Sequence, residues 1–242
     1  MPANLSGTLS TAIFDVPGLP LPVALRRYTS ARRLRLRVDA HAGLIRLSMP
    51  VRMAQRTALL WAGEQAVWVA RQLEGVPAAT PLEQGSQIPF RGEMLLLEWN
   101  PDQRRVARRV GDRLVIGGPA ESFSRLTERW LIAQALDALS ELTTEIAAAA
   151  GLTVRSVGVG DPVSRWGSCS ASGAIRYSWR LVLAPPQVLR FVVAHEVAHR
   201  LHMDHSPAFK AVEERLFGGP VSSARSLLRE LGPALRGVGR RR

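Results

Sequence analysis

The sequence predicts an α+β chain, with a β-rich N-terminal region followed by a domain organised around one chemically distinctive helix. Three observations predict it. Apolar and charged residues alternate with period two in short stretches before residue 118. Apolar residues recur at helical spacing over longer stretches after it. Four of the five histidines then fall in one short segment of the second half.

Residues 1–22 are small and polar, carry Pro17, Pro20 and Pro22, show no sustained period, and read as a flexible arm. Residues 23–118 form the β-rich region. Leu34-Arg-Leu-Arg-Val38 alternates cleanly and predicts a hairpin with Leu44–Met49 across His41-Ala-Gly43. From Met53 to Leu73 the residues Leu59, Leu60, Trp61, Val67, Trp68, Val69 and Ala70 spread at helical spacing. They predict a helix that ends near Gly75 and Pro77. After a turn-rich stretch over 76–92, Met94–Trp99 and Arg113–Ile116 read as two more strands, and Gly117-Gly118-Pro119 as the domain boundary.

The second domain spans 119–235. A long helix over 122–150, carrying Leu126, Trp130, Leu131, Ala135, Leu139 and Leu142, is closed by Gly151. Thr153–Val159 reads as a strand, and Ser164–Ser170 with Ala174–Leu183 as a hairpin turning at Ala171-Ser-Gly173. In its last strand Ile175, Tyr177, Trp179 and Leu181 share one face, leaving Arg176, Ser178 and Arg180 on the other. Pro185 and Pro186 open a helix running to about Met203, and helices near 207–217 and 221–231 precede a basic tail over 236–242. No internal repeat is apparent.

With 242 residues, 46% apolar and 21% charged, the chain can bury one large core or two small ones. No apolar run approaches the roughly 18 residues that a bilayer span requires, so no membrane partner is expected. Residues 1–20 lack the pattern of a secretory leader, and the lone cysteine, Cys169, cannot close an internal disulfide; both predict a cytoplasmic protein. The net charge of +12 raises polyanionic partners. Lys210 is the only lysine, however, and an excess carried by arginine alongside many alanines reads as the background of a GC-rich genome. The densest clusters lie over Arg26–Arg37, over Arg104–Arg109 and at Arg240–Arg242, and none is interleaved with the aromatics that stack on bases.

The histidine segment is His195-Glu-Val-Ala-His199-Arg-Leu-His-Met-Asp-His205. In a shuffled chain of this composition, H-E-x-x-H has an expectation of about 0.004, so chance is a poor explanation. Histidines at i and i+4 share one helical face with a rise of roughly 6 Å, and both imidazoles can converge on one ion. Zinc (Zn2+) suits them, and Glu196 beside the first histidine can reach an attacking water without ligating, which makes it the general-base candidate. A third ligand is needed. His202 stands roughly 10.5 Å along the axis from His195, too far for a shared tetrahedral ion on a straight helix. His205 can fold back if the chain leaves the helix near Met203-Asp204, where Asp tolerates a left-handed conformation. His202 then becomes a cleft residue. A helix end lined by two imidazoles and a carboxylate without a metal would bury polar groups at a cost of several kcal/mol.

Arg165-Trp-Gly-Ser-Cys-Ser170, Ser178-Trp-Arg-Leu181 and His195-Glu-Val-Ala-His199 followed by Asp204-His-Ser-Pro-Ala-Phe209 resemble the YgjP-like metallopeptidases, related to the SprT-like and WLM zincins. The resemblance extends over about 23–232, and Asp204, Lys210 and Ser178 depart from the residues usual in that family. It implies a zincin-like catalytic domain, zinc ligands at His195, His199 and His205, and Glu196 as the catalytic acid/base. Arg165, Tyr177, Arg180 and His202 are candidates for substrate or transition-state contacts. The strand over Ala174–Leu183 is where such folds offer an edge to an extended peptide. Two other readings keep the same metal residues: a nucleoside triphosphate hydrolase, with Arg165, Arg176 and Arg180 on the phosphates, and a protease associated with nucleic acid. Cys169 as nucleophile is the weaker reading, since a thiolate beside zinc would ligate it.

Overall fold

The computed structural model describes residues 11–74, 77–162 and 164–240. Residues 1–10 of the expected arm, the helix end at Gly75, and Arg241 and Arg242 of the basic tail lie outside the described residues. The fold is mixed α+β, with a strand-rich first part and a helical second part.

Two compact units divide the chain: Met1–Ala78 with Arg240–Arg242, and Ala79–Gly239. The first unit contains β1 (Ala12–Phe14), β2 (Val23–Tyr28), β3 (Arg35–Asp39), β4 (Leu44–Pro50), α1 (Gln55–Glu64) and α2 (Ala66–Glu74). The part of the expected arm that is described therefore carries a strand, β1, paired antiparallel to β2. The sheet runs β1-β2-β4-β3, with β2 and β4 parallel and the other pairs antiparallel. Val23, Leu25, Ile45, Leu47 and Met49 point to the core, where Ala58, Ala62 and Val69 meet them. Between Met53 and Leu73 two helices replace the single one expected. They break at Gln65, whose amide bonds back to the carbonyls of Ala62 and Gly63.

The second unit begins with β5 (Gln87–Phe90), β6 (Glu93–Asn100), β7 (Ala107–Val110) and β8 (Arg113–Gly117) in the order β5-β6-β8-β7. The pairing senses, antiparallel, parallel, antiparallel, repeat those of the first sheet. That topological duplication leaves no trace in the sequence. Gly117-Gly118 is not the boundary. Ile88, Leu95, Leu97, Leu114 and Ile116 share one core with Leu126, Leu131, Ala135 and Leu139 of α3 (Phe123–Ala149), so this sheet and the long helix belong to the same unit. The glycines are there for close approach: a Cβ on Gly117 would lie 2.0 Å from the Arg104 carbonyl oxygen.

A second, three-stranded sheet has β11 (Ala174–Ser178) at its centre, antiparallel to β10 (Gly167–Cys169) and parallel to β9 (Ser156–Gly160). The expected strand over Ala174–Leu183 is shorter, because Trp179–Leu183 winds into a 3-10 turn whose five side chains are all buried. It is also internal, with β10 on one edge of the sheet and β9 on the other. Pro186 opens α4 (Pro186–Ala198), followed by α5 (Pro207–Phe217) and α6 (Ser222–Gly237). Helix α4 stops short of Met203, since the Arg200 and Leu201 amides bond to the carbonyls of Val197 and Ala198 and tighten the last turn.

Candidate metal centre

Helix α4 is apolar almost all round, with Val188, Leu189, Phe191, Val192, Val193, Val197 and Ala198 buried, which fixes its rotation and depth in the core. His195 lies in its last turn and His199 caps its C-terminus four residues on, with ring centroids 5.0 Å from each other. The chain then reverses. The Ser206 hydroxyl accepts from the Phe209 amide to cap α5, Pro207 occupies its first turn, and His205 just before this cap returns to the other two. Its Nε2 is 3.3 Å from His195 Nε2, and ligand atoms of all three histidines lie within 4.8 Å of one another. Asp204 does not turn left-handed as expected: among the described residues Arg91 is the only non-glycine with positive φ. Instead the Asp204 carboxylate accepts the Ser206 amide at 3.2 Å.

Each helical imidazole is oriented through its other nitrogen. His195 Nδ1 is 2.7 Å from Glu213 Oε1, and His199 Nδ1 is 3.0 Å from the His202 carbonyl oxygen. With Nδ1 engaged as donor, the Nε2 lone pair of both rings is left for the centre. Burial opposes ionisation of Glu213, but His195 and Arg225, whose Nη2 is 2.7 Å from Oε2, hold its carboxyl below the usual carboxylate range. Burial pushes the His199 imidazole down, keeping it in the neutral form that donates to a cation. Beneath the three rings lies Phe209, buried, with centroid distances of 5.1, 4.6 and 4.9 Å to His195, His199 and His205.

Glu196, next to His195 on α4, extends toward β10. The Trp166 carbonyl and the Ser170 amide bond to β11, so the alternation of an antiparallel pair sends the main-chain groups of Gly167 and Cys169 to the free edge. Glu196 accepts there from the Cys169 amide, and a Cβ on Gly167 would stand only 2.4 Å from its Oε1. Burial pushes its carboxyl up to about 7, against the opposing charges of His195 and Arg165.

This arrangement can hold a metal, and its donor set, neutral imidazoles with their second nitrogens satisfied, fits a divalent transition ion. The sequence also matches the family described as YgjP-like, metallopeptidase domain, over residues 32–230. The chain belongs to this family. No curated protein and no solved structure matches it.

The other expected site residues of this YgjP-like metallopeptidase divide by location. Arg165 is exposed and close enough for its charge to act on Glu196. Tyr177 is fully buried below the site, its hydroxyl 3.0 Å from Thr143 Oγ1, and burial pushes its hydroxyl pKa up, so it stays protonated. Arg180 is buried in the 3-10 turn, paired with Asp161, hydrogen-bonded to the Val238 carbonyl and stacked 4.2 Å from the Trp179 ring. It does not line an open strand face. His202 enters through its carbonyl oxygen. Glu213, Phe209 and Gly167 are positions that sequence reasoning missed as part of the centre. For Glu213 a signal existed: on α5 it falls in the stripe Phe209, Val212, Glu213, Leu216, an acid where only apolar side chains are expected.

Proposed function

We propose that this metallopeptidase is zinc-dependent, with His195, His199 and His205 as ligands and Glu196 as general base and then general acid toward a peptide bond. The observation that carries the reading is the convergence of three imidazoles beside a buried carboxylate that is anchored on an edge strand. Bound zinc supplies Lewis acidity and brings the pKa of a coordinated water toward about 7. Glu196 takes the proton of the attacking water, and its contact with Gly167 and the Cys169 amide holds the carboxylate where it can return that proton to the leaving nitrogen. We assign stabilisation of the developing oxyanion to Arg165, a reading supported by the action of its charge on Glu196. The free edge of β10 receives the substrate as an added antiparallel strand, through the Gly167 main chain and the Cys169 carbonyl.

The test is hydrolysis of an unstructured protein and of a nucleoside triphosphate panel by wild type and Glu196→Gln at matched metal content. Peptide cleavage lost in Glu196→Gln supports the proposal. Triphosphate hydrolysis lost in that variant, without peptide cleavage, would replace it by the phosphohydrolase reading; the burial of Arg180 on Asp161 argues against that outcome.

A further inference from the structure

Between residues 23 and 50, seven arginines face a single aspartate, Asp39. The first sheet sorts them. Leu25, Ile45, Leu47 and Met49 take the core side, and the registers Arg26↔Ser48, Tyr28↔Pro50, Arg35↔Ser48 and Arg37↔Arg46 put the intervening side chains on the other side. That side is open to solvent: Tyr28, Arg35, Arg37 and Arg46 are exposed, and Ile13 of β1 on the same side is 62% exposed. Asp39 is already paired with Arg46 at 2.9 Å. Arg26, Arg32, Arg33 and Arg35 have no carboxylate partner among the described residues. The β2–β3 connection closes one end of this face into a cleft of about 540 Å³, lined by Tyr28, Ser30, Arg32, Arg33, Arg35 and Ser48.

We propose that this face binds single-stranded nucleic acid. Arginines on alternate positions of a strand stand about 6.8 Å apart, close to the repeat of successive phosphates along an extended strand. Their row continues past the cleft across the sheet, farther than one small anion would use. Contrary to the expectation that no aromatic is interleaved with this cluster, Tyr28 stands between Arg27 and Arg32 and adds an aromatic surface to it. Its ring carries the Arg26 guanidinium 5.2 Å from the centroid, a pairing that positions it on the cationic face. Only an unpaired base can reach such a ring, and this favours a single strand over a duplex. The serine hydroxyls of Ser30 and Ser48 supply neutral donors for phosphate oxygens. This inference is independent of the metal centre.

The experiment is fluorescence anisotropy of a labelled oligothymidylate with the full chain across a salt series, comparing wild type, Arg33→Ala/Arg35→Ala, Tyr28→Ala and the control Arg104→Ala/Arg108→Ala in the other internal arginine cluster. All are exposed positions, and circular dichroism with metal content verifies folding. Removing two phosphate contacts is expected to lower affinity about 20-fold at about 0.1 M salt and to reduce the log–log salt slope by about 1.4. Tyr28→Ala is expected to lose about fivefold or more, and the control less than about twofold. The proposal is overturned if Arg33→Ala/Arg35→Ala stays within about twofold of wild type. Equal loss in the control also overturns it, as does displacement of the oligothymidylate by duplex or inorganic tripolyphosphate as readily as by unlabelled strand at equal phosphate concentration.

Discussion

His195 Nδ1 lies 2.7 Å from Oε1 of Glu213, a carboxylate that is 1% exposed and whose second oxygen is 2.7 Å from Arg225. One buried acid thus links a proposed metal ligand on α4 to a cation on α6. Such a carboxylate fixes the imidazole tautomer and raises its basicity as a donor. Glu213→Gln is expected to weaken zinc binding by about 10- to 100-fold, read by competition with a chromogenic chelator. Unchanged affinity would mean that the contact only supports packing.

Gly167 makes a second prediction possible. Its missing side chain leaves the space that Glu196 occupies, since an added Cβ would approach the carboxylate carbon to 2.7 Å. Gly167→Ala should leave zinc content intact and lower kcat/KM by about 100-fold, the usual effect of displacing a reacting group by an ångström or so. Measuring metal and turnover on the same preparation separates this from loss of the ion.

Phe209 supports all three imidazoles from below. Phe209→Ala removes a fully packed ring and should destabilise the fold by about 3–5 kcal/mol in denaturant titration. Phe209→Leu, which fills most of the space, should lose much less and keep its metal.

Arg180 distinguishes a structural from a substrate role. Its guanidinium is buried against Asp161 and the Val238 carbonyl, so Arg180→Met should cost about 3 kcal/mol of stability, at the low end for a buried pair because Asp161 keeps partial access to water. The remaining folded enzyme should keep its KM. A rise in KM with unchanged stability would put Arg180 in the substrate cleft.

The histidines were legible because helical spacing is local: His195 and His199 meet by backbone geometry alone, and His205 follows a short turn capped by Ser206. The long helix α3 was legible for the same reason, through Leu126, Leu131, Ala135 and Leu139. Glu213 and Gly167 were not, since α5 and β10 meet α4 only through tertiary packing. The segment Trp179–Leu183 alternates like a strand, yet Arg180 is drawn inward by Asp161, nineteen residues earlier, and the chain closes into a 3-10 turn. Strands β5 and β7 are hard to read because both are short, and β7, with Arg108 and Arg109 exposed, has little apolar pattern to show. The metallopeptidase resemblance carried by Arg165–Ser170 and His195–Phe209 agrees with the family match.

The central claim is tested most directly by elemental analysis of the chain purified without added metal, beside His199→Ala prepared in the same way. One zinc per wild-type chain, lost in the variant while circular dichroism is retained, is the result expected. Wild type that takes up no zinc on incubation with the ion, or a His199→Ala chain that holds it as tightly, would contradict the account.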